Sequence, residues 1–533
     1  MTGYGGQGRD RGNGALVDRF LLRHARRHPG SQAIEDDEVS MSYGELSERV
    51  GAAAAKLVDL GVRPGDRVAL WLSNSAGFVV AALACLWVGA PFVPLSTQDP
   101  RARTARILDD CMPKLLLARR RPGERPGAGL QSWGRVRVVD VEEILAAGAA
   151  CPPPPCDGAG RDAYIIYTSG TTGQPKGVRI SGRALGSAIS VIARAMGLRQ
   201  ATRSLCVSSF HFDGSYGTLF PTLWAGGCLV VPDREAMLFP KHFFNAVADR
   251  NVTHTGFSPS YLRLLLSSSH LGRLEGSVLR SLGLGGEECV PEDVARLWQV
   301  LPALRVFNRY GPTEATIEVA TYEITPGDVE ADRVPIGEPH EGVTFYLLDE
   351  DGQPVGTPRR TGELYIGGRQ LMEGYWADDE LNGHVLRQDV VAGELVYRTG
   401  DLVWRDEAGR YFYAGRADDV VKRNGVRISL SEVALALRRV GKISGAVCLL
   451  SQREGYPIIT AYVEAASEMT AQAVFEVAST RLPASMLPDE VVLVPSLPLT
   501  TSGKVDRDRL VAPTAPEGGG QRWSETAQEA AAQ

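Results

Sequence analysis

A loop rich in glycine, serine and threonine follows an apolar run and limits the folds open to this chain. The apolar run, residues 163–166, indicates a buried strand, and the loop covers residues 167–177. Glycines let the backbone approach an anion closely, while hydroxyl groups and the ammonium of Lys176 supply donors and charge. The common NTPase loop ends in Gly-Lys-Ser/Thr, whereas Lys176 stands between Pro175 and Gly177. The pattern therefore predicts a phosphate-handling loop of another kind.

The size and charge of the chain exclude several classes of protein. Its 533 residues exceed what one hydrophobic core organises, so we expect several lobes. The 57 Lys and Arg residues against 63 Asp and Glu give a net charge of −6, so no basic field favours nucleic acid or an anionic membrane. The start lacks the apolar segment of a signal peptide, and no apolar stretch is long enough for a membrane span. We therefore expect a cytoplasmic protein that binds neither nucleic acid nor membrane.

Helical and strand patterns alternate along most of the chain and predict an α/β fold. Such alternation favours parallel sheets flanked by helices, with functional groups in the loops beyond the strand ends. A break in composition at residues 413–425 predicts a boundary between two lobes. The predicted organisation is a disordered start (1–14), an N-terminal core (15–417), a C-terminal lobe (418–515) and a flexible tail (516–533).

The loop at 167–177 resembles the signature of the adenylate-forming enzymes, a superfamily of acyl-CoA ligases, luciferases and the adenylation domains of nonribosomal peptide synthetases. Further motifs in the family's order, such as 373–376, extend the resemblance from about Val17 to Arg507. The resemblance implies a large N-terminal lobe of flanked β-sheets, a small mobile α+β C-terminal lobe and an active site between them. It implies a catalytic role for Thr168 and ATP binding by Thr168, Ser169, Gly170, Thr171, Thr172, Gly173 and Lys176.

The segment 308–314 resembles the family's adenine-binding motif. The resemblance implies that Tyr310 stacks on adenine, that Asn308 binds its amino edge and that Glu314 helps to hold magnesium. These roles suit the residue types, because a flat ring supplies stacking area, an amide pairs with a purine, and a carboxylate oxygen suits Mg²⁺. The structural alternative is a turn built on Gly-Pro. ATP and Mg²⁺ are thus the predicted cofactors, and the further ATP-binding residues are Gly286, Gly311 and Thr313.

Later motifs assign five residues of the C-terminal part by the same resemblance. Asp401 is expected to bind both ribose hydroxyls, and Tyr413 and Arg416 to contact the nucleotide. Asp418 is the predicted hinge between the lobes, and Lys504 is the lysine that family members bring into the active site for adenylation. An ammonium between a carboxylate oxygen and the α-phosphate neutralises the charge that builds as pyrophosphate departs.

Residues 210–215 bear on the identity of the acid. The pattern Phe-Asp-x-Ser at 212–215 resembles amino-acid-activating domains, in which the matching aspartate pairs with the substrate α-ammonium. The overlapping pattern Phe-His-x-x-Gly at 210–214 resembles fatty-acyl and aryl ligases. A buried carboxylate without a cation is unfavourable, so Asp213 lining a pocket favours an ammonium-bearing substrate, whereas a solvated aspartate at a turn would say nothing of the acid. We therefore predict an amino acid substrate.

Alignment by motif also predicts which residues line the pocket for the substrate side chain. Five of them are glycines, which leave volume for a bulky or extended side chain; the alternative is that some of them serve backbone geometry. Arg309 and Glu318 each pair with a substrate charge or neutralise one another, and we expect an extended, polar amino acid. The predicted substrate-binding residues are Asp213, Gly214, Gly217, Gly256, Gly283, Gly285, Arg309, Ile317 and Glu318.

These features together predict an ATP- and magnesium-dependent ligase of specialised-metabolite biosynthesis. It converts an amino acid to aminoacyl-AMP and transfers it to the phosphopantetheine thiol of a carrier protein. No Gly-Gly-x-Ser carrier motif follows Arg507 and no condensation motif is present, so we expect a freestanding enzyme with a separate carrier protein. The alternatives are an acyl- or aryl-CoA ligase for a non-amino carboxylic acid, with coenzyme A as acceptor, and a non-catalytic scaffold that binds ATP.

Overall fold

Strands form where apolar and β-branched residues run together, as at Val68–Trp71 and Leu115–Ala118. The apolar run predicted as a strand at 163–166 lies within such a strand, Asp162–Ser169. The computed structural model describes residues 16–99, 101–119, 136–146, 152, 154–156, 161–169, 175–233, 236–331, 333–417, 419–423, 426–438, 442–453, 456–479, 482, 487–500, 505–511 and 522–524.

The strands of the described residues are β1 (Gln32–Asp36), β2 (Ser40–Ser42), β3 (Val68–Trp71), β4 (Phe92–Leu95), β5 (Leu115–Ala118), β6 (Arg137–Asp140), β7 (Asp162–Ser169), β8 (Pro175–Ser181), β9 (Arg203–Cys206), β10 (Cys228–Val231), β11 (His254–Phe257), β12 (Ser281–Gly285), β13 (Arg305–Tyr310), β14 (Ala320–Glu323), β15 (Glu338–Pro339), β16 (Val343–Leu348), β17 (Gly362–Gly368), β18 (Gly374–Tyr375), β19 (Leu386–Arg387), β20 (Val396–Arg405), β21 (Tyr411–Arg416), β22 (Val420–Arg423), β23 (Val426–Ser429), β24 (Ile443–Arg453), β25 (Tyr456–Ala465), β26 (Glu490–Val494) and β27 (Arg522–Ser524).

Several helices begin at serines that cap the first turn. Ser42, Ser75, Ser181 and Ser258 each accept a hydrogen bond from the backbone N–H three residues further on. The α-helices are α1 (Arg23–Arg27), α2 (Tyr43–Asp59), α3 (Ala76–Val88), α4 (Arg101–Cys111), α5 (Val141–Leu145), α6 (Gly182–Ala195), α7 (Tyr216–Trp224), α8 (Pro240–Asp249), α9 (Pro259–Leu266), α10 (Pro291–Val300), α11 (Pro326–Val329), α12 (Asp379–Val385), α13 (Leu430–Arg438), α14 (Ala471–Ser479) and α15 (Arg507–Val511). Shorter 3₁₀ or π segments lie at Asp18–Leu22, Asp213–Ser215, Ala236–Leu238, Leu271–Leu274 and Thr313–Ala315.

Two large sheets hold most of the residues considered below. One has the order β15-β14-β13-β12-β11-β9-β10-β1-β2, and its central strands from β13 to β10 are mutually parallel. The other has the order β18-β8-β7-β4-β3-β5-β6, with a parallel part from β7 to β6 and an antiparallel hairpin of β7 and β8. The predicted α/β fold with parallel sheets and helices is confirmed.

The remaining strands form three smaller sheets. β16, β17, β19, β20 and β21 make a five-stranded sheet, β22 pairs with β23, and β24 to β27 form a four-stranded sheet in that order. Apolar side chains of α13 and α14, such as Val433 and Val474, pack with Ile459 and Val491 of the four-stranded sheet in a separate core. This part of the chain has the predicted α+β character.

The chain divides into two compact units, Met1–Phe345 with Ile366–Arg398, and Tyr346–Tyr365 with Thr399–Gln533. The lobe boundary at 417/418 stays a prediction. The flexible tail also stays a prediction; of its residues the structure describes Arg522–Ser524, a strand whose backbone pairs with β26 at the edge of the sheet. None of the helices in the described part of the chain has the length and apolarity needed to cross a membrane.

Candidate active site

The predicted phosphate loop connects the two strands of the β7–β8 hairpin. Thr168 lies opposite Lys176 in this pairing, and Tyr167 lies opposite Gly177. Because directly opposed residues of antiparallel strands project to the same face, the Thr168 hydroxyl and the Lys176 ammonium share one face of the hairpin. Outside the described residues lie the side chain of Ser169 and the loop residues Gly170, Thr171, Thr172 and Gly173.

Tyr167 anchors the end of β7 from which the loop departs. A Cβ at Gly177 would lie 2.9 Å from Cζ of Tyr167, so glycine lets the tyrosine ring cross the neighbouring strand. The Tyr167 hydroxyl donates to the carboxylate of Asp110. Burial raises the pKa of Tyr167 well above its ordinary value, which keeps the hydroxyl a neutral donor. The start of the loop is therefore fixed by a partly buried hydrogen bond.

Lys176 and Glu314 meet at the ring of Tyr375. The Nζ of Lys176 lies 5.7 Å from the ring centroid, and the Tyr375 hydroxyl donates to Oε1 of Glu314 at 2.7 Å. Glu314 belongs to the short turn Thr313–Ala315, whose position is fixed by a hydrogen bond of 2.8 Å from the backbone N–H of Met372 to the Glu314 carbonyl. The ammonium of Lys176 thus lies beside the ring of Tyr375, and the carboxylate of Glu314 accepts from its hydroxyl. This arrangement suits a site for phosphate and a hard cation.

Tyr375 was not among the predicted site residues. It lies on β18, which pairs with β8 so that Tyr375 is opposite Val178, and its backbone N–H donates to Oδ1 of Asn382 at 2.6 Å. The motif at 373–376 contained this tyrosine, but only the pairing of β18 with β8 brings it beside Lys176. An aromatic residue inside a matched motif was the signal that could have identified it.

A second group of predicted residues lies at the carboxyl ends of three parallel strands. The register of β11, β12 and β13 places Gly256 beside Gly283, and Gly285 beside Arg309. Gly286 follows β12 with φ of +82°, a left-handed conformation that favours glycine. No atom lies within 4 Å of a Cβ built at Gly286, so its backbone faces open space. Ligands of α/β proteins bind at this edge of a parallel sheet.

Asn308 and Tyr310 have geometries that suit adenine. The Nδ2 of Asn308 donates to the carbonyl of Pro335 at 2.8 Å, and no described residue donates to its Oδ1. The buried amide therefore presents an acceptor, as pairing with an amino group requires. Tyr310 is half-buried, and its ring stands edge-on to Phe345 with 6.3 Å between centroids.

Gly311 and Thr313 shape the segment between Tyr310 and Glu314. A Cβ at Gly311 would collide with the backbone of Glu318, so glycine is required where these two stretches of chain pass each other. Thr313 begins the turn that carries Glu314. The structure therefore gives Gly311 a packing role in addition to the predicted nucleotide contact.

Three of the five predicted pocket glycines leave room for the side chain of Arg309, and Gly285 leaves room for its backbone carbonyl. A Cβ at Gly256 would lie 2.8 Å from Nη1 of Arg309, and one at Gly283 would lie 2.6 Å from its Cδ. Only Gly214 has no atom within 4 Å of a Cβ built on it. The expectation that the glycines widen the pocket is corrected, because the arginine fills the volume that they leave. The four glycines in contact with Arg309 are Gly217, Gly256, Gly283 and Gly285.

Arg309 and Glu318 form a buried ion pair. The Nε of Arg309 donates to the Glu318 carboxylate, and the two side chains are 8% and 3% exposed. The hydroxyl of Thr321 donates to the other carboxylate oxygen at 3.2 Å, and Nε2 of Gln370 donates to the Glu318 carbonyl at 2.7 Å. The sequence left open whether Arg309 and Glu318 each pair with a substrate charge or neutralise one another. The structure shows that they neutralise one another.

Asp213 opens a helical segment that leads into the pocket. It begins the turn Asp213–Ser215, which α7 continues, and it is half-buried. Burial, and after it the nearby Asp213 charge, raises the pKa of Tyr164 and of Tyr216. Gly217 follows one turn later, where it meets Arg309 and the side chain of Ile317. The helix thus carries the predicted ammonium-binding carboxylate and one pocket glycine.

The second unit holds the predicted ribose-binding carboxylate. Asp401 lies opposite Arg416 in the β20–β21 pairing, and Nη1 of Arg416 donates to Oδ1 of Asp401 at 3.3 Å and to the Thr399 carbonyl at 2.9 Å. Asp401 is buried, and Gly400 before it has φ of +71°. Tyr413 lies opposite Val403 in the same pairing.

The predicted hinge residue Asp418 and the predicted lysine Lys504 lie outside the described residues. Their neighbours are linked to each other. Both terminal nitrogens of Arg507 donate to the carboxylate of Asp419, at 2.5 and 2.8 Å, and Asp419 is buried. Sequence reasoning did not predict this bidentate ion pair.

Comparisons with known proteins identify the family of the chain. The profile of the family described as AMP-binding enzyme matches residues 21–376. Tyrocidine synthase 3 of Brevibacillus parabrevis is 31% identical over 96% of this chain, which spans only 8% of that synthase. Novobiocin biosynthesis protein H of Streptomyces niveus is 34% identical over 95% of this chain and 85% of its own length. The crystal structure of holo-AB3403, a four domain nonribosomal peptide synthetase bound to AMP and glycine, has a TM-score of 0.81 and 27% identity over 94% of this chain and 36% of that one.

The fold and the matched profile define an AMP-binding enzyme, and the chain belongs to that family. Its relatives define it more narrowly as an adenylate-forming ligase of the nonribosomal peptide synthetase type. The predicted resemblance to this superfamily is confirmed, and so is the fold with a large N-terminal and a small C-terminal part.

Proposed function

We propose that the chain activates an amino acid and passes it to a carrier protein. In the first step a carboxylate oxygen of the amino acid attacks the α-phosphorus of ATP, so that aminoacyl-AMP forms and pyrophosphate leaves. In the second step the thiolate of a phosphopantetheine arm attacks the acyl carbon, and AMP leaves. The observation that carries this proposal is the convergence of Lys176 and Glu314 on Tyr375, at the exit of the hairpin loop.

The nucleotide would be held by residues of both predicted groups. Thr168 and Lys176, which share a face of the hairpin, would contact phosphate oxygens, and the ammonium would stabilise charge on the departing pyrophosphate. Tyr310 would stack on adenine, while Oδ1 of Asn308 would accept from the adenine amino group.

The residues of the second unit have proposed roles toward the sugar and the reaction. Asp401 would accept hydrogen bonds from both ribose hydroxyls, and Tyr413 and Arg416 would contact the nucleotide. We further propose that Lys504 stabilises the adenylation transition state and that Asp418 is the hinge for the subsequent conformational change.

Glu314 suits a magnesium ion that arrives with ATP. Its Oε1 is oriented by the Tyr375 hydroxyl, and carboxylate oxygens are ligands that Mg²⁺ prefers. Within the described ranges no cluster of three His, Cys, Asp or Glu side chains could hold a metal by itself. Mg²⁺ commonly takes one or two carboxylates together with substrate phosphates, so the residues present fit this ion. When bound, magnesium neutralises charge on the phosphates.

An α-amino acid is the favoured acid because of Asp213. The carboxylate is half-buried beside two buried tyrosines, where a substrate ammonium would be a favourable partner. The solved synthetase with AMP and glycine supports the same substrate class. The relationship to peptide synthetases supports a phosphopantetheinylated carrier protein, which we propose to be separate from this chain.

The proposal is tested by exchange of labelled pyrophosphate into ATP with a panel of amino acids and simple carboxylic acids. We expect exchange that depends on magnesium and on one or a few amino acids. Exchange with simple carboxylic acids alone, followed by formation of free CoA thioesters, would contradict the proposal. It would support the second candidate, an acyl- or aryl-CoA ligase, which the pattern at 210–214 favours.

A further inference from the structure

The guanidinium of Arg309 has two ends with different surroundings. Its Nε is committed to Glu318. Its Nη1 and Nη2 lie along Gly256 and Gly217, which offer no side chains, and no residue of the described part of the chain accepts a hydrogen bond from either nitrogen. The arginine side chain is only 8% exposed. Neither nitrogen is completely enclosed, so both remain available to an acceptor on a ligand.

We infer, on the basis of the proposed function, that this acceptor is the substrate. Arg309 is then a specificity-determining residue that receives the substrate side chain. The preferred substrate is an amino acid whose side chain ends in a hydrogen-bond acceptor, a carboxylate or a carboxamide carbonyl. A planar pair of Nη groups matches such an end in geometry.

The backbone around the partner of Arg309 is strained in a way that fits a binding site. Thr316 and Ile317, directly before Glu318, have φ of +61° and +72°, although both are β-branched. The Thr316 hydroxyl donates to the Gln370 carbonyl at 2.6 Å, and Nε2 of Gln370 donates to the Glu318 carbonyl at 2.7 Å. These bonds hold Glu318 in place, so Arg309 is oriented by its partner instead of being free to turn into solvent. Strained backbone that its surroundings fix in this way is concentrated at ligand sites.

The segment that begins at Asp213 also carries a residue in contact with Arg309. Asp213 opens the 3₁₀ turn Asp213–Ser215, and Gly217 lies in the first turn of α7. A Cβ at Gly217 would lie 2.1 Å from Nη2 of Arg309. A substrate with its ammonium at Asp213 would therefore extend toward the guanidinium. A lysine-like side chain would bring a second cation to Arg309, and a long apolar side chain would cover the guanidinium without hydrogen bonds.

The test is pyrophosphate exchange with aspartate, asparagine, glutamate, glutamine, alanine, leucine and lysine. We expect the wild-type enzyme to prefer an acceptor-bearing side chain. In Arg309→Ala/Glu318→Gln, which removes both charges together, kcat/KM for that substrate should fall by roughly 10- to 100-fold, as for loss of hydrogen bonds to a charged group, while alanine should change little. Glu318→Gln alone keeps the two Nη groups of Arg309 and removes the neighbouring negative charge. It should therefore raise the preference for carboxylates over carboxamides.

The matched control is Arg305→Ala on the same strand. Arg305 pairs with Glu323 at 2.7 Å, but the two side chains are 48% and 45% exposed, so side-chain preference should stay as in the wild type. Thermal unfolding shows that each variant is folded. Wild-type preference for leucine or lysine, or an unchanged preference in the double variant, overturns the inference and leaves amino acid activation intact. Wild-type exchange with no amino acid, but with simple acids, overturns the proposed function itself.

Discussion

The molecule holds a cation and a carboxylate together in two places, and it does so in different ways. Lys176 and Glu314 are half-buried and are joined through the ring and hydroxyl of Tyr375. Arg309 and Glu318 are buried and bonded directly. The indirect arrangement leaves both charges available to a ligand, whereas the direct pair makes each charge a structural requirement of the other. We therefore propose that similar residue types serve binding in one place and both folding and selectivity in the other.

The largest expected effect is on stability, at the direct pair. Glu318→Ala leaves the Arg309 guanidinium buried without its carboxylate and should lower the free energy of unfolding by about 3–5 kcal/mol, measured by urea denaturation. The control Glu323→Ala breaks an exposed pair on the neighbouring stretch of sheet and should change it by about 1 kcal/mol or less. Equal losses of unfolding free energy in the two variants would show that the buried pair and the exposed pair contribute equally to stability.

At Lys176 and Glu314, which are joined through Tyr375, a substitution should lower activity and not stability. Glu314→Gln removes the proposed magnesium carboxylate and should lower pyrophosphate exchange by roughly 100-fold, the scale of losing a key electrostatic group. The free energy of unfolding should move by no more than about 1 kcal/mol, because the half-buried side chain is replaced by one of the same shape. Loss of stability without loss of exchange would show that Glu314 is structural.

Removal of the Tyr375 hydroxyl, which lies between Lys176 and Glu314, should have a smaller effect. Tyr375→Phe keeps the ring beside Lys176 but frees Oε1 of Glu314, so we expect about a 10-fold fall in kcat/KM for ATP, as for one hydrogen bond to a charged group. The magnesium concentration at half-maximal rate should rise. Tyr261→Phe, which removes a hydroxyl bonded to the Met237 carbonyl at 2.6 Å, serves as the control and should leave both values unchanged.

The smallest effect, when the pH is lowered only from 6.5 to 5.5, concerns a histidine beside the Arg309–Glu318 pair. Burial, and after it the positive charge of Arg309, lowers the pKa of His254 to about 3. In the unfolded chain a histidine has a pKa of about 6.5, so the unfolded state binds more protons below that pH. The stability that neutral His254 confers is complete above about pH 6.5 and is lost as the pH falls toward 3, by up to about 1.4 kcal/mol per pH unit.

That pH dependence can be assigned by substitution. His254→Asn should flatten the fall in unfolding free energy between pH 6.5 and 5.5, measured by denaturant titration at each pH. The exposed His384→Asn should keep the wild-type slope. An unchanged slope in His254→Asn would mean that other groups cause the acid destabilisation.

The elements that carry the residues predicted to bind nucleotide were predictable to a large extent, because their motifs are local. The strand at 163–166 and the segment 308–314 contain their own patterns of apolar residues, turn and polar groups, and the structure forms elements there. The roles assigned to these residues stay predictions. The pocket was predicted less well, since glycines in a sequence do not say which neighbour uses the space that they leave.

The sequence by itself determined the alternation of strands and helices, the family, and the residue types predicted to meet phosphate, because each depends on a pattern within a short stretch of chain. Only the tertiary structure decided that Tyr375 stands between Lys176 and Glu314, and that Arg309 fills the space along Gly217, Gly256 and Gly283. The physical reason is strand register, which joins segments far apart in the chain and which local pattern does not specify. The structure also decided between the two alternatives for Arg309 and Glu318, because it shows their buried side chains in direct contact.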